Sequence, residues 1–508
     1  MRSARFKKSA ALALLVVLTA FACCAQAKSF VLGDTTFNAE NGEPDVDPHN
    51  EYSGWACIRY GIGETLFRHS RGMETEPWLA EKCELIDAFT WKITLRGGIR
   101  FTSGRELDAQ AAKECLEHLV RVHARARGDL DIDSMAADGQ TLIIKTEKPR
   151  PALPDFLCDP YSCMIDVSAG AENGIVSGTG PYKAVELITD ERLELVKNED
   201  YRSGAPKPDG ITVLTISDGD TLTMALQSGA IDAAYGLPYA SYPLFENDGF
   251  EYTGTPTSRV FFLSFNFKSP LCAPEIRKAI AMGIDKRSFV DVLLGGNGCP
   301  AVGAFPESFP FGGQKLTATA YDPDGAERLL EESGWTDEDG DGIREKDGRR
   351  LTIRWLTYPS RQELPLLAEY AQYALGKIGI DVSINCTASA GALKSDPTKW
   401  DVYASAMVTC PTGDPEYFFA SCALEKSAAN SGAYRSEKLE RLAEEMSETF
   451  ETEKRASLAI EMQQTLIDDA AFVFCSHLKM GMVMRKGVKG LSAHPCDYYE
   501  ITSELDVD

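Results

Sequence analysis

Trp91-Lys92-Ile93-Thr94-Leu95-Arg96-Gly97-Gly98-Ile99-Arg100-Phe101, followed by Ser103-Gly104, is the stretch on which the reading of this chain turns. Residues 89–95 read as a strand of aromatic and β-branched residues, broken by Gly97-Gly98. Working outward, Asp108 caps a helix to about His123, with Ala111, Ala112, Cys115, Leu119 and Val122 on its apolar face. Strands follow at 141–145, 191–196 and 211–216, and a helix at 221–228 stops at Gly229. Residues 260–267 are apolar and β-prone, which predicts a central strand. Residues 275–294 predict one long amphipathic helix, and 324–333 another ending at Gly334. Strand 351–356, helix 364–377 and strand 380–384 continue the pattern. Ser436 caps a helix with Leu439, Leu442, Ala443, Met446 and Phe450 on one face, and 454–468 is a further helix. Such alternation implies α/β lobes.

The chain has 508 residues, 52 Lys+Arg against 76 Asp+Glu, and a formal charge of −24. Its 44% apolar and 25% charged residues are globular proportions. The acidic balance excludes a general nucleic-acid binder, which needs clustered Lys and Arg, and broad docking on anionic lipid. Arg2, Arg5, Lys7 and Lys8 precede an apolar run at 10–22 and the small-residue site Ala25-Gln26-Ala27, so residues 1–27 read as a secretory signal. Loss of those four cations takes the charge to −28. The alternative is lipid anchoring at Cys23, although Thr19-Ala20-Phe21-Ala22 lacks the usual aliphatic residue. No later apolar run reaches the ~18–20 residues that span a bilayer. Twelve of the 14 cysteines follow the signal, an even number in an exported chain, so disulfides are plausible; Cys158 with Cys163 and Cys410 with Cys422 are close pairs. Buried free thiols are the other reading.

Signatures of catalysis are missing. There is no GxxxxGK[ST], GxSxG or HExxH, and Gly61-Ile62-Gly63 lacks a third glycine at the required place. No CxxC pair occurs, and the six histidines never fall three or four apart, so no zinc site and no cofactor are expected. Asp337-Glu338-Asp339-Gly340-Asp341-Gly342 resembles a calcium loop, but its twelfth position is Gly348, and an acidic turn accounts for it. An exported metal-dependent hydrolase remains as the alternative that this turn would serve.

The opening stretch also resembles a conserved segment of the family 5 extracellular solute-binding proteins, the peptide, nickel and oligopeptide receptors of ABC importers. More resemblances follow in the family's order: Pro77-Trp78-Leu79-Ala80-Glu81, Gly178-Thr179-Gly180-Pro181-Tyr182, Asn198-Glu199-Asp200-Tyr201, Gly229-Ala230-Ile231-Asp232, Leu263-Ser264-Phe265-Asn266, Ile276-Arg277-Lys278-Ala279-Ile280, Ser333-Gly334-Trp335 and Gly413-Asp414-Pro415 with Phe418-Phe419. The resemblance implies an α/β, two-lobed periplasmic-binding-protein-like fold (type II, cluster C) with an extra subdomain in the first lobe. It places lobe one at 28–255 with the subdomain near 58–164, lobe two at 256–479, and a return to lobe one at 480–508. It implies a monomeric receptor, not an enzyme, that encloses a short peptide or a nickel or other metal chelate and delivers it to a membrane permease and its ATPase. A receptor serving a sensor is a further alternative.

The same resemblance suggests pocket residues. Asp47-Pro48-His49 is similar to a family motif that brings Tyr52 and Trp55 to the cleft. The loop 123–127 would let Arg125 or Arg127 hold a ligand carboxylate. Loop 159–164, ending at Met164, matches one where nickel relatives carry an arginine; here Pro160 stands there and no arginine is near. Their tryptophan and tyrosine fall at Thr409 and Gly413, and their histidine is unmatched near Ser427, which weakens a nickel–histidine chelate as ligand. Dipeptide receptors hold the peptide ammonium with an aspartate where this chain has Cys410-Pro411-Thr412; Asp414 can substitute for it or cap the following helix. His494-Pro495-Cys496-Asp497-Tyr498 resembles a segment returning past the cleft, bringing Asp497 and His494 to the ligand; His494 with Cys496 is either a soft-metal pair or structural.

Overall fold

A computed structural model of the chain describes residues 28–38, 45–50 and 53–508. The signal segment 1–27, with Cys23, and Tyr52 lie outside the described residues. Among the described residues, no helix is long and apolar enough to cross a membrane.

One 11-stranded sheet runs through both lobes. Its order is Asp381–Cys386, Thr352–Thr357, Val402–Val408, Phe250–Phe265, Phe472–Arg485, Ala233–Tyr235, Ser29–Asp34, Gly210–Thr215, Arg192–Lys197 and Tyr182–Ile188, with Gly298–Pro300 paired to Phe472–Arg485 off this path. Phe250–Phe265 and Phe472–Arg485 form a long antiparallel pair in the middle of this sheet. The central strand is longer than the apolar run at 260–267 predicts. Its front half exposes alternate side chains, and only from Thr257 onward is it buried almost continuously. Hydrophobicity alone therefore reports the doubly covered half.

A separate four-stranded sheet has the order Ala80–Asp87, Thr90–Leu95, Thr141–Thr146, Ile132–Asp138. The Trp91 stretch is thus an inner strand of this smaller sheet. The helix Ala109–Val122 packs on it through Ala112, Cys115, Leu116 and Leu119, and the Asp108 carboxylate accepts from Ala111 N at 2.8 Å at its start. The helix Gly219–Ser228 ends at Gly229, whose φ of +76° suits a residue without Cβ. In the other lobe, Leu364, Leu367, Ala368, Ala371 and Leu375 of the helix Glu363–Gly376 pack with the buried Trp355.

Two expectations change. The helix predicted over 275–294 is broken. Pro274–Gly283 ends at extended Ile284, Asp285 caps a new turn at Lys286–Ser288, and a wider π-turn follows at Phe289–Leu293. Gly283 packs against Leu375 and Ile378, where an added Cβ would stand 2.9 Å from each side chain. The amphipathic period survives the break, which is why it misleads. Residues 124–127 are not a loop but the start of the helix Ala124–Leu130, whose Ala126 N donates to His123 Nδ1 at 3.1 Å.

Candidate functional site

A cavity of about 840 Å³ lies between the lobes. The helix Gly54–Arg59 contributes Trp55 and Arg59; Ala124–Leu130 contributes Arg125 and Asp129. The far wall carries Tyr358, Arg361, Lys394, Tyr403 and Tyr417. Tyr358 and Arg361 follow the strand Thr352–Thr357, so this wall lies at a carboxyl strand end, where open α/β sheets bind ligands.

Arg259 reaches the cavity through an irregularity in the long antiparallel pair. The register between Phe250–Phe265 and Phe472–Arg485 shifts between Pro256 and Val260. Thr257 Oγ1 donates to Leu478 O at 3.0 Å and accepts from Arg259 N at 3.2 Å, which fixes the bulge. Arg259 Nη2 then donates to Asp497 Oδ2 at 2.8 Å, while its buried Nε has no hydrogen-bond partner.

Behind this wall Asp497 is fully enclosed. Arg59 lies 3.4 Å from its Oδ1, and Tyr235 Oη donates to that oxygen at 3.3 Å. Burial pushes the Asp497 carboxyl up, but Arg59 and Arg259 outweigh it and hold the group below the ordinary carboxylate value. Glu500, 3.4 Å from Arg59 Nε, goes the other way, because burial dominates and raises its carboxyl well above the usual range. Arg59 lies over the Trp55 ring at 4.6 Å, with Asp34 3.6 Å from its Nη1.

Several bonds span the cavity. Arg125 Nη1 donates to Tyr417 Oη at 2.9 Å and Nη2 to Asp159 Oδ1 at 2.7 Å. Arg150 Nη1 donates to Glu416 Oε1 at 3.0 Å, and Glu416 is also held by Arg455 at 3.1 Å. Asp129, beside Arg125 and Tyr161, is pushed up to about 6, chiefly by burial.

Arg361 differs from these arginines. Among the described residues its guanidinium enters no hydrogen bond or ion pair, although it lines the cavity. Lys394 is next most available: its Nζ donates to Ala429 O at 2.8 Å and sits 4.8 Å above the Tyr403 ring, with its ammonium pKa lowered chiefly by burial. The cavity wall is therefore cationic although the protein is acidic. No histidine lines it. Its cysteine, Cys422, gives its S–H to Phe418 O, and burial pushes the thiol up to about 12.

Of the residues suggested by resemblance, Trp55 and Arg125 stand on the cavity wall. The others among the described residues are elsewhere. Arg127 turns back onto Val120 O and Arg121 O at 2.8 and 2.7 Å. Met164 is in the core. Thr409 is sealed, donating to Ser258 O and Ala304 O. Cys410 donates to Asp414 O, and Asp414 both forms a two-bond pair with Arg455 and accepts from Glu416 N at 2.8 Å. Asp497 lies behind the wall and acts through Arg59 and Arg259. His494 lines a separate cavity of about 380 Å³, with its Nδ1 3.0 Å from Cys496 Sγ. Cys158 donates to Pro154 O, and all twelve described cysteines are free thiols. Asp337, Asp339 and Glu345 bring carboxylates together in the acidic turn, while Asp341 pairs with Arg350. Arg59, Arg259, Arg361 and Lys394 escaped the sequence reading. For Arg361 a signal existed: a lone arginine just past a predicted strand end.

The family described as bacterial extracellular solute-binding proteins, family 5 (middle), matches residues 74–430. The nickel-binding protein NikA of Staphylococcus aureus (strain NCTC 8325 / PS 47) is 25% identical over 454 residues, covering 89% of this chain and 90% of that one. The glutathione-binding protein GsiB of Escherichia coli (strain K12) is 28% identical over 397 residues, covering 74% and 73%. A crystal structure of a nickel ABC transporter protein from Bacillus halodurans superposes with a TM-score of 0.76 at 30% identity, covering 94% of this chain and 100% of that one. With a match across most of its length and the two-lobed α/β architecture, the chain belongs to the family 5 bacterial extracellular solute-binding proteins.

Proposed function

We propose that this protein is the extracytoplasmic receptor of an ABC importer and that its ligand carries a carboxylate: a short peptide, or a metal held in an organic-acid or amino-acid chelate. The observation that carries the reading is Arg361, a guanidinium on the cavity wall with no hydrogen bond or ion pair among the described residues, whose planar donors match a carboxylate. The nickel-binding and glutathione-binding relatives support both ligand classes. The lack of histidine on the wall favours a metal that arrives with its own donor atoms over a bare ion.

In this reading lobe one comprises about 28–255 and 480–508, with the subdomain near 58–164, and lobe two about 256–479. The ligand favours closure because it touches both lobes, and the closed monomer presents itself to the permease and its ATPase. Residues 1–27 direct export, ending in soluble release or in an anchor at Cys23. The protein turns nothing over.

The test is a thermal-shift and calorimetric screen of the full mature chain with di- and tripeptides, glutathione, nickel ion and nickel–histidine. A ligand that binds only the folded state raises Tm by mass action. Carboxylate-bearing ligands should bind, and Arg361→Ala should weaken them by about 10-fold or more, equivalent to ~1.4 kcal/mol. Equal affinity in Arg361→Ala, or binding of bare nickel alone, refutes the carboxylate reading.

A further inference from the structure

Buried thiols in this protein mostly satisfy themselves on nearby backbone. Cys272 donates to Asp401 O, Cys422 to Phe418 O and Cys475 to Val473 O. Cys57 and Cys163 are arranged differently, with their side chains lying together against one glycine, Gly63. Neither has any exposed surface. Both sulfurs press on Gly63, where an added Cβ would stand 2.6 Å from Cys57 Sγ and 3.3 Å from Cys163 Sγ. One turn earlier the same two segments touch at Gly54, where a Cβ would stand 2.6 Å from the carbonyl carbon of Pro160. The helix Gly54–Arg59 therefore lies flush on residues 160–163.

Their position in the chain gives this contact its importance. All four strands of the smaller sheet, from Ala80 to Thr146, fall between Cys57 and Cys163. The two cysteines stand where the chain enters that unit and where it leaves. They also lie behind two walls of the ligand cavity. Cys57 shares its helix with Trp55 and Arg59, while Cys163 follows Asp159, the partner of Arg125, and Tyr161, whose ring lies 4.8 Å beneath the Arg125 guanidinium.

We infer that Cys57 and Cys163 become a disulfide in the exported protein and staple the neck of the smaller-sheet unit. The oxidant is a small-molecule or protein disulfide. The Cys57 thiolate attacks one of its sulfurs, forming a mixed disulfide and releasing one thiolate. The Cys163 thiolate then attacks Cys57 Sγ and expels the second. The donor disulfide gains two electrons, and the two protons lost by the cysteines end on the two released thiols. Because the folded protein seals both sulfurs, the exchange occurs while the neck is still open during folding, and afterwards the bond is shielded from reductants. The bond closes a loop of roughly 100 residues, so it constrains the unfolded chain more than a short-loop bridge would. Cys115 is the nearest competitor, since its Sγ lies 3.8 Å from Cys163 O, but it also accepts from Ile165 N at 3.4 Å and has His49 Nε2 at 3.7 Å.

The experiment refolds the full chain in a mixed oxidised and reduced glutathione buffer, denatures it with alkylating agent present and no reductant, and maps the digest by mass spectrometry. The expected result is a peptide pair joined through Cys57 and Cys163 that separates on reduction. Alkylation of both cysteines overturns the inference, and so does a bridge from Cys115 to either one. As a second measurement, unfolding and refolding the wild type under reducing conditions should lower Tm by about 5–10 °C. A Cys57→Ser/Cys163→Ser variant should show no such reductant dependence. If that variant does not fold, the wild-type map decides alone.

Discussion

Asp497 shows how much a single buried carboxylate organises here. It sits in the left-handed region at φ +65° and takes Arg259, Arg59 and Tyr235 together. Removing it leaves two arginines enclosed without their main counter-charge, which costs more than an exposed pair would. Asp497→Ala should destabilise the protein by about 3–5 kcal/mol, read from chemical denaturation. It should also weaken ligand binding, because Arg259 loses its anchor. His477 offers a pH test. Burial holds its imidazole at about 3, and Lys286 adds to the effect. Below the ordinary histidine value of about 6.5 the unfolded chain takes a proton that the folded chain refuses. The stability from neutral His477 is therefore complete above about 6.5 and is lost as pH falls toward 3. The unfolding free energy, measured by chemical denaturation from pH 7 to pH 4, should drop less steeply in His477→Gln, by roughly 1 kcal/mol per pH unit. Parallel curves would place the titration elsewhere.

At the scale of elements, close backbone approach matters more than propensity. Gly180 faces Gly61, and a Cβ there would stand 2.2 Å from Gly61 O, inside any permitted contact. Gly180→Ala must push apart the segments that join the start of Tyr182–Ile188 to the Gly54–Arg59 helix. A loss of about 1–3 kcal/mol is expected, measured as a shift of the urea midpoint. Asp108→Ala, by contrast, removes only the cap of Ala109–Val122 and should cost about 1 kcal/mol. The break at Ile284–Asp285 belongs to this scale too. Helical periodicity continues through it, yet Asp285 accepts from both Arg287 N and Ser288 N and restarts the chain in a new direction.

Across the whole molecule, hydrogen bonds tie together distant parts of the chain. Arg150 meets Glu416, Arg125 meets Tyr417, His69 Nε2 meets Pro411 O at 3.0 Å, and Tyr239 meets Glu363. In the proposed two-lobed reading, opening would have to break these bonds, so they would bias the open–closed balance along with the ligand. Arg150→Ala should shift the ligand-free protein toward the open form, seen as a larger radius of gyration in solution scattering. An unchanged radius would show that the Arg150–Glu416 bond contributes nothing to closure.

Reading the chain alone established the α/β class, the family and most of the elements, because periodicity, caps and glycine stops act over a few residues. Asp108, Gly229 and Ser436 end or begin helices in the places their chemistry implies. Trp55 and Arg125 were legible as cavity residues only through resemblance. Tertiary structure alone decided the rest. Arg259 reaches the cavity because a bulge turns it there, and Arg361 is distinguished by making no hydrogen bond or ion pair among the described residues, a property no spacing encodes, although its charge acts on Asp497. Thr409, Cys410 and Asp414 lie near the cavity in sequence, yet face inward because carbonyls and Arg455 claim them first. Local order follows from neighbours along the chain, whereas a binding surface is what remains after every other polar group has found its partner.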